Sequence, residues 1–318
     1  MKIYSLFTLL AFAIAAHAAP PDAIVAADGS GQYQTVRAAI DSAPQITHAG
    51  SHWTIFVKAG TYRELVYIQR EKRFIAVIGE DAATTKITFD LFNDYPAPDG
   101  KAIATFRTPT VMLDADDFTF ENITFENSAG RKGQALAIRV DGDRDVFRHC
   151  RFLGWQDTIL VNRGRHYFED CTIVGATDFI FGGATAFFEH CQIRCAGSGY
   201  ITAASTPDFQ QYGFVFSHCT ITGETPGVQT YLGRPWRDYA QTIFLKTEMS
   251  DVVNPEGWHN WGKPHAEQVA RYAEFESTGP GAKPAARAPW SKRLTADDAA
   301  TYAVEKVLAG SDNWNPKK

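Results

Sequence analysis

The same arrangement of residues occurs twice between positions 150 and 183, and this repeat limits the possible folds more than any other feature of the sequence. Cys150 is followed by a glycine four positions later and an aspartate seven positions later, and Cys171 is followed by the same pair. The period is therefore 21 residues, from 171 − 150. Weaker copies, each a polar or thiol residue before a short alternating segment, begin at Asn122, Cys191 and Cys219. Periods of about 20 to 30 residues are typical of solenoids, in which each repeat buries its apolar face against its neighbours.

A parallel β-helix, an all-β solenoid, would bring the two repeated aspartates together. Residues one period apart would lie above one another at the strand spacing of about 4.8 Å, which places Asp157 beside Asp178. Two adjacent carboxylates resist ionising together, so one of them should have a raised pKa. Such a pair supplies both a carboxylate base or nucleophile and a carboxylic acid.

Helical segments are predicted before and after the solenoid strands, one capping the open end and one laid on the solenoid. Apolar residues at helical spacing in 35–43, followed by Pro44, predict a short amphipathic helix that caps the core. A pattern close to a capping box begins at Thr295 and predicts a closing helix within 294–308. Residues 91–109, with three prolines, form a loop that either walls a binding cleft or is a plain surface insertion.

The first eighteen residues have the pattern of a secretory signal peptide. A lysine at position 2 precedes an apolar run over 4–16, and Ala16-His17-Ala18 provides a small-x-small cleavage site. The run is too short to span a membrane as a helix, and no later segment reaches about 18 consecutive apolar residues. We therefore expect cleavage after Ala18 or Ala19, secretion without membrane anchoring, and one domain over 19–318.

The charge of the remaining chain argues against nucleic acid as a partner. Residues 1–18 contain one lysine and no acid, so 30 basic side chains (31 − 1) stand against 36 acidic ones, a net charge near −6. Binding to nucleic acid depends on neutralising phosphates. A cluster of basic residues within the repeats is either a solvated edge or a groove for an acidic polymer: Arg131, Lys132, Arg139, Arg144, Arg148, Arg151, Arg163 and Arg165.

Five cysteines are present, and an odd number leaves at least one thiol unpaired. Cys150, Cys171 and Cys191 are expected on successive coils, at a Cα spacing that suits a disulfide. We favour a bond between Cys171 and Cys191. The alternative is a ladder of small, buried, reduced side chains.

Two glutamines and one arginine could join the aspartates. Gln134 and Gln156 are 22 residues apart, about one coil. Because side chains alternate along a strand, Gln156 reaches the same site as its neighbour Asp157 only if a bend intervenes. Glutamine amides can donate to an oxyanion, and the arginine fork of Arg234 in Gly-Arg-Pro-Trp can hold one carboxylate ionised. This set of groups indicates acyl transfer on an ester, although it leaves open which aspartate is the nucleophile.

Motifs along nearly the whole chain after the signal resemble those of the pectin methylesterases, or pectinesterases. They occur in order as ADGSGQYQTVRAAIDSAP, GTYRE, GQALAIR, GWQDT, DFIFG and LGRPW. The resemblance implies a right-handed parallel β-helix and a carboxylic ester hydrolase that releases methanol from galacturonate methyl esters without metal or cofactor. It also implies that the partner is methylated homogalacturonan; a capped solenoid is expected to be monomeric.

The resemblance also implies a role for each matching residue. Asp178 of DFIFG is the expected nucleophile, and Asp157 of GWQDT is the expected acid and then base. Gln134 and Gln156 are expected to stabilise the oxyanion, and Arg234 to orient Asp178. Five further aromatic residues are candidates for sugar binding: Phe181 and Trp236 from the motifs, and Tyr167, Trp258 and Trp261 as weaker candidates.

Three other functions remain open from the residues alone. The scaffold could carry an esterase or thioesterase for lipid-like acyl groups, because fold does not fix substrate. A glycoside hydrolase would also use two carboxylates, but the inverting type needs them about 6.5 to 9.5 Å apart, which is wider than one coil. A non-catalytic glycan-binding solenoid is the third alternative. Release of methanol distinguishes the pectin esterase from all three.

Overall fold

The structure is a computed structural model that describes residues 20–46 and 48–318. The predicted signal peptide at 1–18 lies outside the described residues. None of the helices in the described part of the chain is long and apolar enough to cross a membrane.

Short strands joined by turns make up most of this part of the chain. In order they are β1 (Ala23–Val25), β2 (Trp53–Val57), β3 (Gly60–Arg63), β4 (Val66–Ile68), β5 (Ile75–Gly79), β6 (Thr85–Phe89), β7 (Val111–Leu113), β8 (Thr119–Glu121), β9 (Thr124–Asn127), β10 (Ile138–Val140), β11 (Asp145–Arg148), β12 (Arg151–Leu153), β13 (Ile159–Val161), β14 (Arg165–Glu169), β15 (Thr172–Gly182), β16 (Thr185–Glu189), β17 (Gln192–Ala204), β18 (Phe214–Ser217), β19 (Thr220–Gly223), β20 (Thr230–Gly233), β21 (Gln241–Leu245), β22 (Glu248–Met249), β23 (Arg271–Phe275) and β24 (Lys292–Arg293).

These strands stack in three columns of parallel strands. The first column is an 11-stranded sheet in the order β1-β2-β5-β8-β11-β14-β16-β18-β21-β23-β24. The second column runs β3-β6-β9-β12-β15-β17-β19-β22, and the third runs β4-β7-β10-β13-β15-β17-β20. The second and third columns form one sheet because β15 and β17 are long enough to pass through both. This topology confirms the predicted all-β parallel β-helix.

A ladder of stacked phenylalanines fills the interior of the solenoid beneath the first column. Phe147, Phe168, Phe188, Phe216 and Phe244 come from successive coils, and neighbouring ring centroids lie 4.5 to 4.6 Å apart. All five side chains are fully buried. Because the coils are in register, identical side chains meet at the strand spacing, and each buried ring contributes about 1.5 to 3 kcal/mol of hydrophobic stabilisation.

The cysteines belong to the same interior, and the predicted disulfide is wrong. All five are reduced and buried. The thiol of Cys171 donates to the carbonyl oxygens of Phe147 and Glu169 at 3.5 and 3.3 Å, and Cys191 makes equivalent contacts one coil further on. In a parallel, in-register stack equivalent side chains point the same way, so neighbouring thiols form a ladder rather than facing each other.

The turn before four of the five cysteines explains the repeating pattern and corrects one part of it. His149, Asp170, His190 and His218 all have left-handed φ values of 51° to 53°, and each precedes a cysteine. Asn122 adopts the same conformation, with φ 55°. It is therefore equivalent to the histidine before Cys150, so the weaker copy that begins at Asn122 is one residue out of phase with the cysteines.

A helix covers the N-terminal end of the solenoid, as predicted, whereas the C-terminal helical segment is broken and lies on the outer face of the first column. Helix α1 (Val36–Ser42) has Thr35 as its N-cap and packs on β1, β2 and β4. The Thr295–Asp298 capping box is present. The segment that follows consists of α3 (Ala296–Ala299), a 3₁₀ turn (Ala300–Tyr302) and α4 (Val304–Val307). Ala303 interrupts it in an extended conformation, with φ −64° and ψ 143°. A third one-turn helix, α2 (Ala266–Val269), precedes β23.

Candidate active site

The two repeated aspartates lie on adjacent coils, where the chain passes from the second column to the third. Ile159 pairs with Ile180, so Asp157 and Asp178 occupy equivalent positions. Both have left-handed backbones, with φ 64° and 50°. This conformation is rare for residues other than glycine, and it supplies the bend that interrupts side-chain alternation. Gln156 and Asp157 consequently line the same pocket although they are adjacent in sequence.

That pocket has a volume of about 370 Å³. It contains all five residues expected to be catalytic, together with Phe181 and Trp236. Its lining is Ala104, Thr105, Phe106, Gln134, Gln156, Asp157, Asp178, Phe181, Ala203, Arg234, Trp236 and Trp261. The resemblance-based prediction of the site therefore describes one continuous cavity.

Arg234 holds one of the two aspartates in a two-pronged contact. Its Nε donates to Asp178 Oδ1 at 2.8 Å, and its Nη2 donates to Oδ2 at 2.5 Å. The guanidinium carbon lies 3.9 Å from the ring centroid of Tyr200 and 3.7 Å from that of Trp261. Arg234 is thus fixed by a carboxylate at its edge and by an aromatic ring on each face.

The electrostatic environment differs between the two aspartates, although each is 5% exposed. Burial and the adjacent charge of Asp178 raise the pKa of Asp157 to about 8, against an opposing effect from Arg234. Burial also raises the pKa of Asp178, but there the hydrogen bonds and charge of Arg234 act in the opposite direction. The arrangement therefore favours a protonated Asp157 beside an ionised Asp178 near neutral pH.

Gln134 and Gln156 form a parallel bridge on neighbouring coils, and Gln156 bridges in turn to Thr177, the residue before Asp178. The Thr105 hydroxyl donates to Gln134 Oε1 at 2.8 Å. The backbone N–H of Gln134 donates to the Asn93 side chain at 3.1 Å. With its amide oxygen occupied in this way, Gln134 retains its amide N–H groups as donors for an oxygen in the pocket.

The apolar part of the pocket combines residues that are distant in sequence. The ring centroids of Phe181 and Trp236 lie 5.8 Å apart, and Phe106 lies 6.3 Å from Trp236 on the other side. Phe106 belongs to the 91–109 loop, so residues 104–106 of that loop do form a wall of the cleft. Trp261 completes the rim above Arg234.

The predicted role in sugar binding is wrong for two residues, Tyr167 and Trp258. Tyr167 is fully buried, and its hydroxyl contacts Glu169 and Glu189 beneath the C-terminal segment. Trp258 is 1% exposed and stacks on Tyr272 in the interior, with ring centroids 4.5 Å apart. Both side chains are covered by later parts of the chain, which leaves no aromatic face for a sugar.

Most members of the basic cluster neutralise acidic neighbours instead of lining the pocket. Ion pairs join Arg139 to Asp141, Arg144 to Asp117 and Asp143, Arg148 to Glu169, Arg163 to Asp114, and Arg165 to Asp143 and Asp312. None of the eight predicted residues lines the cavity that holds the aspartates. This pattern favours the alternative of a charged edge along the coils.

Tyr200 contacts Arg234 beside the pocket, and no pattern in the sequence selected it. It pairs with Thr177 across the β15–β17 ladder, 23 residues on, whereas Ile173 pairs with Ile193 after 20. Because the register shifts within this ladder, a constant period does not predict that Tyr200 lies beside Asp178. Only a period that lengthens locally would have placed Tyr200 beside the Asp178 turn.

Three comparisons with known proteins agree. A family model described as Pectinesterase matches residues 22–311. Pectinesterase 31 of Arabidopsis thaliana is 41% identical over 284 residues, which are 87% of this chain and 89% of that protein. Probable pectinesterase/pectinesterase inhibitor 58 of the same plant is 37% identical, and the match spans 52% of its length.

Solved structures give the same result. The pectin methylesterase from carrot superimposes with a TM-score of 0.85 and is 34% identical, covering 93% of this chain and 95% of its own. A pectin methylesterase solved in complex with a hexasaccharide superimposes with a TM-score of 0.79 at 29% identity, covering 94% of this chain and 99% of its own.

Proposed function

The chain belongs to the pectinesterase family and hydrolyses methyl esters of pectin, and we propose that it does so through a covalent intermediate on Asp178. The substrate we assign is methylated homogalacturonan, whose C6 methyl ester would enter the pocket beside Asp157. Phe181 and Trp236 would contact the sugar rings, since aromatic faces suit the apolar faces of sugars.

The first half of the reaction forms the acyl-enzyme. An oxygen of the Asp178 carboxylate attacks the C6 carbonyl carbon, and the amide N–H groups of Gln134 and Gln156 donate to the oxyanion that develops. The C6–OCH₃ bond then breaks, and the carboxylic acid of Asp157 gives its proton to the departing methoxide oxygen. Methanol leaves, and C6 remains bonded to Asp178.

The second half uses the same groups in reverse. Asp157, now a carboxylate, accepts a proton from a water molecule as the water oxygen attacks C6. The tetrahedral intermediate collapses with departure of the Asp178 carboxylate, which Arg234 stabilises in its ionised form. One ester and one water thus give one carboxylic acid and one methanol, and both aspartates return to their starting protonation states.

The observation that carries this assignment is the unequal environment of the two aspartates. Arg234 contacts Asp178 with two hydrogen bonds, and the pKa of Asp157 is raised to about 8. A nucleophile must be ionised and a general acid must be protonated, so Asp178 suits the first role and Asp157 the second. The reverse assignment would require Asp157 to ionise without an arginine partner.

We further propose that the protein is exported and acts as a monomer. Export rests on the signal-peptide pattern at 1–18. The monomer rests on helix α1, which packs on the N-terminal coil, and on Ala282, Ala288 and Trp290 after β23, which pack against the solenoid core. Size-exclusion chromatography of the mature protein and detection of the processed chain outside the producing cell test these two points.

The decisive experiment is methanol release from highly methylated pectin by the wild-type protein and by Asp178→Asn. Loss of the ionisable nucleophile should lower kcat by at least about 10³-fold. Asp170→Asn is a matched control, because Asp170 has a φ of 51°, almost the same as Asp178, but has a half-exposed side chain outside the pocket. A folded Asp178→Asn protein that keeps more than a tenth of wild-type activity would overturn the covalent mechanism.

A further inference from the structure

Arg234 reaches Asp178 from a coil that is not adjacent to it. Gly233 pairs with Thr202 of β17, and the backbone N–H of Arg234 donates to the Thr202 carbonyl. Asp178 belongs to β15, on the far side of β17. The arginine side chain must therefore cross the intervening coil, a distance of about two strand spacings, or roughly 9.6 Å.

The residue that it crosses is Tyr200. Tyr200 pairs with Thr177, the residue immediately before Asp178, and its ring lies 3.9 Å from the guanidinium carbon of Arg234. Tyr200 does not line the pocket and is partly buried. Its contact with the reacting atoms is thus through Arg234 alone.

Neighbouring aromatic side chains hold Tyr200 in this position. Tyr231, one coil further on, stacks on Tyr200 with ring centroids 5.4 Å apart and an interplanar angle of 18°. The ring of His259 lies 5.5 Å from Tyr200 and 5.4 Å from Tyr231. The ring of Tyr200 is therefore a fixed support rather than a mobile surface group, and Trp261 lies on the opposite face of the guanidinium.

We propose that Tyr200 is a positioning residue that holds the guanidinium of Arg234 in the plane from which it contacts both oxygens of Asp178. This inference rests on the proposed role of Asp178 as nucleophile. A guanidinium has two flat faces and an edge of N–H donors. When rings cover both faces, only the edge is available, and rotation that would break the contact with the carboxylate is blocked.

The charged and titratable groups around this contact determine how its loss would be observed. Asp178 faces Arg234 and Asp157, and burial, followed by the charge of Asp178, raises the pKa of the Tyr272 hydroxyl. Since Arg234 opposes the rise in the pKa of Asp178, a loosened Arg234 would leave that pKa higher. Ionised Asp178 would then persist only at higher pH, so the acidic limb of the rate profile should move upward.

The test compares Tyr200→Leu with Tyr200→Phe, using methanol release from pectin between pH 4 and 9. The leucine keeps an apolar side chain but removes the π face, and kcat should fall about tenfold, with the acidic limb of kcat/KM moved to higher pH and KM nearly unchanged. The phenylalanine keeps the face, and we expect kcat within about twofold of wild type and an unmoved acidic limb.

Two results would overturn the proposal. One is a folded Tyr200→Leu protein with wild-type kcat and an unmoved acidic limb. The other is an equal loss in both variants with an unmoved limb, which would assign to Tyr200 only a structural or hydroxyl-dependent role. Circular dichroism melting of each variant separates unfolding from misplacement. The Asp178→Asn measurement is independent of the Tyr200 variants, because it tests the role of the nucleophile in an otherwise wild-type protein.

Discussion

The outer faces of the first and third columns both carry apolar side chains, yet only one of these two faces borders the pocket that holds the aspartates. The outer face of the third column, which we call the open face, presents Leu160, Phe181 and Ala203 together with Trp236 and Trp261. The outer face of the first column, the covered face, presents Val146, Tyr167, Phe187, Val215 and Ile243, and it lies beneath Val304, Val307 and Leu308 of the C-terminal segment.

The two faces arise from the same local pattern. Tyr167 and Phe181 both point outward from a strand, and both were candidates for sugar binding. Tyr167 is sealed by residues about 140 positions later in the chain (307 − 167), whereas Phe181 borders the pocket. Strand periodicity therefore predicts which way a side chain points, but a distant segment decides whether that direction leads to solvent.

The largest expected difference between the faces is in stability. Tyr167→Ala should lower the free energy of unfolding by about 4 kcal/mol, because it leaves a cavity under the C-terminal segment. It also removes the hydrogen-bond donor to Glu189. Urea unfolding followed by circular dichroism measures this loss. At temperatures where the protein stays folded, methanol release should remain within about twofold of wild type. A large loss of activity in a folded Tyr167→Ala protein would contradict the separation of the two faces.

A substitution in the pocket should instead lower kcat and leave the free energy of unfolding nearly unchanged. Gln134→Leu removes an oxyanion donor, and kcat should fall by about 10² to 10³, equivalent to about 3 to 4 kcal/mol. The free energy of unfolding should change by less than about 1 kcal/mol, because the site is close to solvent. Steady-state methanol release and urea unfolding of the same preparation supply both numbers. An unchanged kcat would remove Gln134 from the reaction.

A smaller effect is expected in the pH dependence of kcat, which depends on the protonation of Asp157 in the pocket. Because the reaction needs a protonated Asp157 and its pKa is about 8, kcat should decrease above pH 8 by about tenfold per unit, or about 1.4 kcal/mol. Methanol release between pH 6 and 10, corrected for alkaline hydrolysis without enzyme, measures the limb. A flat profile to pH 10 would exclude Asp157 as the acid.

The same pKa shift has a consequence for stability. The pKa of Asp157 is raised above its ordinary value of 3.8, so the folded protein binds more protons than the unfolded chain between pH 4 and 8. Its contribution to the free energy of unfolding therefore decreases as pH rises through that range and is constant above it. Asp157→Asn should abolish this part of the pH dependence while also abolishing turnover.

Features that depend on the register between neighbouring coils could be predicted from the sequence. A period of 21 residues placed Asp157 against Asp178, because in a parallel stack a fixed separation along the chain becomes adjacency in space. Arg234 lies two coils from its partner; the residues alone made it a candidate, and only the family resemblance assigned it to Asp178. Tyr200 was missed because the β15–β17 ladder changes register beside the site.

Other features depend on local conformations that side-chain type does not specify. The apolar spacing within 294–308 correctly indicated a segment packed on the solenoid. The extended conformation of Ala303 nevertheless divides it into single turns, and alanine is itself the best helix former. The spacing of the cysteines likewise suited a disulfide, yet parallel stacking directs the thiols alongside one another.

The smallest effect we expect is on substrate affinity at the rim of the open face. Trp236→Leu removes one aromatic surface above Phe181 and beside Phe106, so KM for methylated pectin should rise about fivefold, or about 1 kcal/mol, with little change in kcat. Phe187→Leu on the covered face is the matched control, because it alters an aromatic side chain that packs against Tyr167 with no route to the pocket. It should leave KM unchanged and lower the melting temperature instead. Equal effects of the two substitutions on KM would mean that the covered face also contributes to binding, which would require the C-terminal segment to move away from the first column.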